Sequence, residues 1–409
     1  MNMTKIKMPK NVAMIINILQ KNGYEAYIVG GCVRDAILNK EPNDWDITTS
    51  ALPEDVKRIF HKTIDTGIQH GTVTVMIEKT GYEITTYRID GEYEDGRHPK
   101  DVLFTRNLVE DLKRRDFTIN AMAYNDKDGL VDEFDGIGDL ERKIIRCVGN
   151  PMDRFHEDAL RILRAVRFAA NLGFDIDEDT KKAAAELAPT LKKISKERIQ
   201  TELDKMFLSD HPEMLEEACN LGITREVLAE ANHLKEQDKL TEVIEIMNQM
   251  EKNHYLRWAS VYIYSDKTRT QEALKALKFD NHTIDICSRI VNAVNTRKLP
   301  QNRAEVRKDI YEVGQDIYEL YLKFLRGYLT VKNADISERY CQICEEYQDI
   351  IEKGECISLK QLCINGKDLI QTGMFRGTAI GEELNKLLYM VMEQPELNQR
   401  EKLLELILK

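Results

Sequence analysis

The stretch Tyr27–Ser50, YIVGGCVRDAILNKEPNDWDITTS, contains the features that decide the fold of this chain. It opens with an apolar run that predicts a strand, and Gly30-Gly31 follows where the strand gives way to a helix. Paired glycines at such a junction let a phosphate approach the backbone closely, and a helix N-terminus favours negative charge. We therefore predict a phosphate-binding turn at Gly31, with Arg34 one helical turn further on and placed to reach the phosphate.

Two aspartates, Asp44 and Asp46, stand near the end of this stretch. We place them in a short strand over Trp45–Thr48, where the period of two puts both carboxylates on one face of a sheet. Two carboxylates on a rigid strand suit a divalent-metal site that handles phosphates. Glu83, in the run Y-E-I-T-T-Y, alternates onto one face of the next strand pair and could complete a three-carboxylate site.

Helix and strand signals alternate from the N-terminus to about residue 145. Apolar spacing over Val12–Leu19 predicts a helix that ends before Gly23. Two β-rich runs, Thr72–Ile77 and Tyr82–Tyr87, are joined by E-K-T-G and predict a hairpin. After about residue 155 nearly every signal is helical. The pattern predicts an α+β fold, in which a head with a small mixed sheet and flanking helices precedes an all-α remainder.

The composition narrows the class of protein. The chain has 409 residues, of which 42% are apolar and 32% charged, with a net charge of −11. This length suggests two to three domains. No uncharged apolar run approaches the roughly 18 residues of a membrane span, and Met1–Lys10 lacks the apolar core of a signal peptide. We therefore expect a cytoplasmic protein that does not contact a membrane.

Eight cysteines are too sparse for a disulfide scaffold and indicate reduced thiols. Cys341 and Cys344 have the CxxC spacing of a zinc half-site or a redox motif. The next cysteines, Cys356 and Cys363, do not complete a standard zinc spacing. We therefore favour ordinary cysteines on a charged helix.

The order of GG, VRD, D-x-D and an apolar-flanked glutamate resembles the nucleotidyltransferase superfamily related to DNA polymerase β. Later segments narrow this resemblance to the class II tRNA nucleotidyltransferases, the CCA-adding enzymes. These segments are RRDFTINAM (114–122), DEFDGIGDL (132–140), RFHEDALRILRAVRF (154–168) and ISKERIQTELDKMF (194–207). They cover about residues 26–210, and Leu359–Glu401 also resembles the tail of the Bacillus-type enzymes.

The resemblance implies a domain plan and a reaction. We expect a catalytic head over 1–145, a neck with a nucleotide-selecting helix over 146–210, a body over 211–300 and a tRNA-binding tail over 301–409. The reaction is template-independent addition and repair of the 3′-terminal CCA of tRNA from CTP and ATP, with release of pyrophosphate. Asp44 and Asp46 would hold two Mg²⁺ ions, and Glu83 joins them as a catalytic candidate. The partner is the acceptor arm and 3′ end of tRNA, and a homodimer is one option for the assembly.

Base selection without a nucleic-acid template needs side chains that read a base edge. Asp158 and Arg161 have i, i+3 spacing, so we expect them to be neighbours on a helix. An aspartate accepts from an exocyclic amine and an arginine donates to a ring acceptor, which suits both cytosine and adenine. Uracil and guanine would leave unpaired groups at about 1–3 kcal/mol each. The resemblance assigns the same role to this segment.

Three further arginines are nucleotide-binding candidates by resemblance. Arg164 and Arg167 continue the series at i+3 steps, and the alternative for both is a solvated ridge opposite the apolar side of the helix. Arg115 is a nucleotide contact by the same resemblance. Asp116 is a candidate contact for the ribose, and Glu157 a support for Arg161.

Two segments have predicted mechanical roles. Asp132–Leu140 resembles the hinge element between head and neck, although a plain turn would look the same. Asp90–Pro99, DGEYEDGRHP, resembles the flexible loop that the family uses when it switches from C to A addition. CC-only enzymes of the family lack that loop, so its presence argues against a CC-only activity.

Basic residues concentrate in two stretches despite the acidic total. Lys267–Lys308 holds ten Lys or Arg against four Asp or Glu, and Lys181–Arg198 holds six against two. A local basic surface is enough to bind tRNA through phosphate and shape. The alternative is that these cations form ordinary solvated helix faces.

Several other functions remain as alternatives or are excluded. An A-adding enzyme that works beside a separate CC-adding protein is the close runner-up, and a poly(A) polymerase, which shares the head motifs, is less favoured. A non-catalytic RNA-binding relative is disfavoured because both aspartates are present. No His-Asp dipeptide, GxGxxG or GxxxxGK[ST] occurs, which argues against a phosphohydrolase module, a dinucleotide-binding dehydrogenase and a P-loop NTPase respectively.

Overall fold

The computed structural model describes residues 5–91, 102–333 and 337–408. The chain forms two compact units, Met1–Asp238 and Lys239–Lys409. Every strand of the described residues belongs to the first unit. Among these residues, each helix is too short or too polar to cross a lipid bilayer. The predicted α+β class, with a small mixed sheet near the N-terminus and a mostly helical remainder, is confirmed.

The strands of the first unit form one mixed sheet and two small ribbons. They are β1 (Ala26–Val29), β2 (Ile47–Thr49), β3 (Thr63–Gly67), β4 (Thr72–Ile77), β5 (Thr80–Thr86), β6 (Arg88–Asp90), β7 (Val102–Phe104), β8 (Ala123–Asn125), β9 (Gly129–Val131), β10 (Ile144–Ile145) and β11 (Asp175–Ile176). The main sheet has the order β3-β4-β5-β2-β1-β8-β9. Only the β2–β5 pair is parallel in it.

Twelve helices of the first unit lie among the described residues. They are α1 (Lys10–Lys21), α2 (Gly31–Ile37), α3 (Pro53–Ile59), α4 (Leu108–Lys113), α5 (Gly136–Arg142), α6 (Pro151–Glu157), α7 (Leu160–Leu172), α8 (Glu178–Leu187), α9 (Lys196–Phe207), α10 (Met214–Asn220), α11 (Ile223–Val227) and α12 (Ala229–Glu236). Short 3₁₀ turns lie at Ile68–His70, Thr118–Asn120 and Ala188–Lys193. The predicted apolar stripe of α1 is buried, which confirms that helix.

The described part of the second unit is entirely helical. Its helices are α13 (Leu240–Gln249), α14 (His254–Val261), α15 (Lys267–Ala276), α16 (Asn281–Thr296), α17 (Arg303–Val313), α18 (Tyr318–Val331), α19 (Ser337–Glu352), α20 (Gly366–Gln371), α21 (Thr378–Glu393) and α22 (Arg400–Leu408). Turns of 3₁₀ helix lie at Leu359–Gln361 and Pro395–Leu397. Cys341 and Cys344 lie on α19, as predicted for ordinary helix cysteines.

The predicted hairpin is confirmed, and β5 begins two residues earlier than expected. The strand predicted over Trp45–Thr48 is displaced, because β2 begins only at Ile47. The two aspartates therefore precede the strand instead of lying within it. The backbone at Asp46 still takes part in the hydrogen bonding between β1 and the segment before β2, since the Val29 amide donates to the Asp46 carbonyl at 3.0 Å.

Candidate active site

Strand register brings Asp46 and Glu83 to the same place. β2 and β5 run parallel, and Ile47 of β2 lies opposite Ile84 of β5. Asp46 and Glu83 each come one residue before these positions, so they are in the same register. Adjacent residues of paired strands point to the same face. Both side chains line one cavity of about 220 Å³, together with Thr85, Arg114 and Arg115 among others. The sheet therefore assembles two predicted carboxylates and one predicted arginine.

Desolvation by the surrounding protein raises the pKa of Asp46, Arg115 lowers it, and the nearby Asp44 carboxylate raises it further. Both aspartates keep exposed surface. A carboxylate whose charge is disfavoured beside a second carboxylate is the kind of oxygen donor that a divalent cation stabilises. Within the described residues no three His, Cys, Asp or Glu side chains are grouped as metal ligands. Glu83 as a third metal ligand thus stays a prediction.

The glycine pair occupies the turn between β1 and α2. Gly30 has φ of 79°, a left-handed conformation that favours glycine. A Cβ at Gly30 would also stand 3.1 Å from a terminal guanidinium nitrogen of Arg115. Gly31 opens α2 with no such constraint. Gly30 is therefore the position of the pair at which the backbone requires glycine. The predicted phosphate contact at Gly31 stays a prediction.

Arg34 and Arg115 are both held by acidic or amide groups. Arg34 Nε donates to Asp35 at 2.8 Å and Nη1 donates to the Asn120 side-chain oxygen at 2.7 Å. Arg115 lies 3.5 Å from the buried Asp111 carboxylate, and its Nε has no hydrogen-bond partner among the described residues. Burial lowers the pKa of Arg115, opposed by the charge of Asp111.

The expected helical pairing of Asp158 with Arg161 is wrong in its local structure. α6 ends at Glu157 and α7 begins at Leu160, so Asp158 lies in an extended link with φ of −145°. Its two carboxylate oxygens accept from the Leu160 amide at 3.0 Å and from Arg198 at 2.6 Å. The local hydrogen bond from the Leu160 amide to the Asp158 side chain competes with a continuous helix at this point.

Arg161 is fixed by main-chain acceptors and by one carboxylate. It donates to the carbonyl of Arg154 at 3.1 Å and to that of Arg114 at 3.0 Å. It also pairs with Glu157, four residues earlier, so that expected support is confirmed. The guanidinium thus ties the neck helix to the RRDFTINAM segment.

Arg164 and Arg167 do not form a solvated ridge. Arg164 donates two hydrogen bonds to Asp116, at 2.8 and 2.6 Å, and Arg167 pairs with Glu202 on α9. Arg167 is 7% exposed. Both guanidinium groups, together with that of Arg34, lie over the ring of Phe168, and Arg167 is the closest at 3.7 Å from its centroid. The arginines therefore form one packed cluster of side chains.

Asp116 connects the head to this cluster. Burial alone would raise its pKa, but Arg164 and Arg161 hold the pKa of that carboxyl well below its ordinary value. Its other oxygen accepts from the Phe117 amide at 2.9 Å and from the Asn120 side chain at 3.2 Å. Asp116, charged at neutral pH, is held by these partners, and the expected ribose contact stays a prediction.

Several residues of this network carried no assigned role at the sequence level. Asp111 and Asn120 hold the arginines of the head, while Arg198 and Glu202 hold Asp158 and Arg167. The available signal was the i, i+4 spacing of Arg198 and Glu202 inside ISKERIQTELDKMF, which places them near one another on α9.

The predicted hinge segment is closely packed in this structure. Asp132 accepts from the amides of Gly136 and Ile137 at 2.7 and 2.9 Å. A Cβ at Gly136 would stand 2.5 Å from the Thr118 carbonyl oxygen, so glycine is required there by close approach. The hinge role stays a prediction. Most of the predicted flexible loop, residues 92–99, lies outside the described residues.

Five of the ten cations in the predicted basic stretch Lys267–Lys308 pair with carboxylates from later in the chain. Its ion pairs are Arg289–Asp316, Arg297–Asp309, Arg297–Glu312, Arg303–Asp349, Arg303–Glu355, Arg307–Glu355 and Lys308–Glu393. The local excess of positive charge therefore overstates the cations that are available. Lys275 and Lys278 are exposed, and no ion pair involves them in the described part of the chain.

Three family models match separate parts of the chain. Residues 26–146 match the poly A polymerase head domain, and 173–234 match the probable RNA and SrmB-binding site of polymerase A. Residues 248–407 match the putative domain 2 of tRNA nucleotidyltransferases. The head defines the class of the protein as a nucleotidyltransferase.

Curated relatives and solved structures narrow the class. The CCA-adding enzyme of Limosilactobacillus reuteri is 54% identical over 198 residues, which is 48% of this chain and 49% of that protein, so this match spans about half its length. That of Limosilactobacillus fermentum is 43% identical over 282 residues, covering 68% of this chain and 70% of the relative. The Bacillus stearothermophilus CCA-adding enzyme, solved in complex with CTP, is 31% identical over 96% of both chains with a TM-score of 0.77. The chain belongs to the family of CCA-adding tRNA nucleotidyltransferases.

Proposed function

We propose that this protein adds and repairs the 3′-terminal CCA of tRNA from CTP and ATP, without a nucleic-acid template and with release of pyrophosphate. The observation that carries the proposal is the cavity shared by Asp46, Glu83 and Arg115, next to the Arg34–Arg164–Arg167 cluster. Carboxylates and arginines in one cavity provide metal-binding and phosphate-binding groups, which match the needs of a bound triphosphate. The similar Bacillus enzyme, solved with CTP, supports this nucleotide class.

The donor chemistry of Asp44 and Asp46 fits Mg²⁺, and these two side chains would hold it. Bound there, the metal would lower the pKa of the attacking 3′ hydroxyl and neutralise charge on the triphosphate. The protein's own groups position the substrates. Arg115 and Arg34 lie at the glycine turn, where they would hold phosphate oxygens by charge-assisted hydrogen bonds.

Asp158 and Arg161 retain the capacity to read a base despite their internal partners. Each Asp158 oxygen uses one acceptor site, on the Leu160 amide or on Arg198, and a carboxylate has about four such sites. Arg198 and the helix cap hold the carboxylate in one orientation, so an exocyclic amine of cytosine or adenine would meet a preset acceptor. Arg161, whose guanidinium is oriented by two carbonyls and Glu157, would be the donor to the ring nitrogen.

The remaining assignments belong to the same proposal. The acceptor arm and 3′ end of tRNA would be the partner, and the neck, body and tail follow the four-domain plan given above. A cytoplasmic location belongs to the proposal as well, and the eight free thiols support it. Light scattering of the purified protein would decide whether the homodimer forms.

The test uses transcripts of one tRNA that end at the discriminator base, at C and at CC, incubated with Mg²⁺ and with CTP and ATP separately or together. We expect growth of the first transcript by C, C and A and then a stop. Activity confined to the CC transcript would identify the A-adding alternative, and a long adenosine ladder a poly(A) polymerase.

Variants connect this reaction to the cavity. Asp44→Ala should lower the rate by about a thousandfold, since the metal supplies several kcal/mol. Asp65→Ala is the matched control, because Asp65 is an aspartate of the same sheet that pairs only with surface Lys57. Equal rates for Asp44→Ala and wild type would refute the site.

A further inference from the structure

A second cavity of about 660 Å³ lies within the first unit. It is lined by residues 5–9, by the end of α2 and by the loop that leads to Trp45. Its volume is in the range of about 300–1,000 Å³ that is usual for small-molecule sites. The active-site residues described above do not line it.

Trp45 connects this cavity to the segment that carries the two aspartates. The residue stands between Asp44 and Asp46 in the sequence. Asp46 lines the active-site cavity with Glu83 and Arg115, whereas Trp45 lines the second one. Two consecutive residues of one segment therefore line two different cavities.

The rim of the second cavity is positive. Lys5, Lys7 and Lys40 line it and are exposed, and Glu41 is the one carboxylate among its lining residues. In the described part of the chain no ion pair involves any of the three lysines. Three uncommitted ammonium groups around one opening are unusual in a chain of net charge −11, and they favour an anionic ligand.

The wall of the cavity is aromatic and apolar. Trp45 is half-buried, and Ile6, Met8, Pro9 and Ile37 also line the site. The indole of Trp45 can stack on a planar base, and the lysines can make an ionic contact with the phosphate of the same nucleotide. Proteins bind single nucleotide units by this combination without reading their sequence. An inorganic anion alone would make no stacking contact with the indole.

We propose that this cavity is a second nucleotide site, in which a base stacks on Trp45 and its phosphate is held by Lys5, Lys7 and Lys40. The ligand is a nucleotide unit, supplied either as a free nucleotide or by a single-stranded RNA. An occupant would contact the residue that joins the two aspartates. This inference does not depend on CCA addition, because its observations come from a different cavity.

Intrinsic fluorescence tests the site directly. The chain has two tryptophans, and Trp258 is completely buried in the second unit, so changes report on Trp45. The protein is titrated with AMP, and separately with a short single-stranded oligoadenylate, in the presence of EDTA. We expect saturable quenching. Quenching by AMP would identify a free nucleotide as sufficient, and quenching by the oligoadenylate alone would identify an RNA strand.

Two variants separate this site from the active site. Lys5→Gln/Lys7→Gln/Lys40→Gln should weaken binding by about tenfold, since charge-assisted contacts are lost at an exposed rim. The matched control, Lys21→Gln/Lys62→Gln/Lys79→Gln, changes three exposed lysines outside the cavity and should bind like wild type.

Arg161→Ala should leave the quenching intact, because Arg161 belongs to the base-reading side of the active site. The proposal is overturned if neither probe gives saturable quenching. It is also overturned if Arg161→Ala abolishes the quenching while the cavity variant keeps it. Equilibrium dialysis of labelled AMP against the same variants gives a readout independent of tryptophan.

Discussion

Two arginine-rich regions look alike along the chain and differ in the structure. On α7, Arg164 and Arg167 converge with Arg34 on the ring of Phe168, and Arg164 also binds the head residue Asp116. Over Lys267–Lys308, the cations pair separately with carboxylates along α16, α17 and the segments packed on them. The first arrangement builds one cluster beside a cavity, and the second stabilises helix packing. Local charge counts therefore do not reveal how many cations are free to meet a ligand.

The strongest way to break the α7 cluster is to remove Asp116. Asp116→Ala should cost about 3 kcal/mol in the free energy of unfolding, because it leaves Arg164 without its buried partner. It should also weaken CTP binding, because Arg164 loses its orientation. Urea denaturation at neutral pH measures the first effect. Asp179→Ala, an exposed aspartate of α8, is the control and should leave both quantities unchanged.

The same pair predicts a pH dependence. Arg164 and Arg161 depress the folded-state pKa of Asp116 below its ordinary value of 3.8. The stabilisation is therefore fully present above pH 3.8 and is lost as the pH falls towards the folded-state pKa. The difference in unfolding free energy between wild type and Asp116→Asn should shrink below pH 3.8. A difference that stays constant down to acid unfolding would contradict the ion pair.

In the second region, removal of a paired arginine should affect stability and not tRNA binding. Arg297→Gln leaves Asp309, which is 2% exposed, with Tyr318 as its remaining hydrogen-bond donor. We expect a loss of about 2 kcal/mol in unfolding free energy. The affinity for tRNA, measured by filter binding at a temperature where the variant is folded, should match wild type.

Exposed lysines of the same stretch should behave in the opposite way. Lys275→Gln and Lys278→Gln should leave the melting temperature unchanged. If these lysines contact tRNA phosphates, each substitution should lower the slope of log affinity against log salt by about one. Equal effects of Arg297→Gln and Lys275→Gln on tRNA binding would show that the distinction between paired and uncommitted cations is wrong here.

The smallest effect is expected at a solvated ion pair. Lys182 and Asp179 lie 3.1 Å apart on α8, and their side chains are 73% and 79% exposed. Water and salt screen such a pair almost completely. Lys182→Ala should leave the melting temperature and the rate of nucleotide addition unchanged, and a clear loss of either would assign the α8 surface a role that its exposure does not suggest.

Much of the site could be predicted because its parts are local. The glycine turn, the D-x-D spacing and the alternation around Glu83 all depend on neighbours within a few residues. The strand boundary at Ile47 was missed. The break at Asp158 was missed because a local hydrogen bond to its side chain competes with helical spacing. The partners Asn120 and Glu202 were also missed, because their contacts join segments far apart in the chain.

The primary structure alone was sufficient for the α+β class, the family and the identity of the candidate carboxylates and arginines. Those conclusions rest on residue type and short-range spacing, which the chain carries before it folds. The tertiary structure decided which cations are already paired, which cavity Trp45 lines and which arginines share one ring. These properties depend on burial and on contacts between distant segments, and both arise only when the chain is folded.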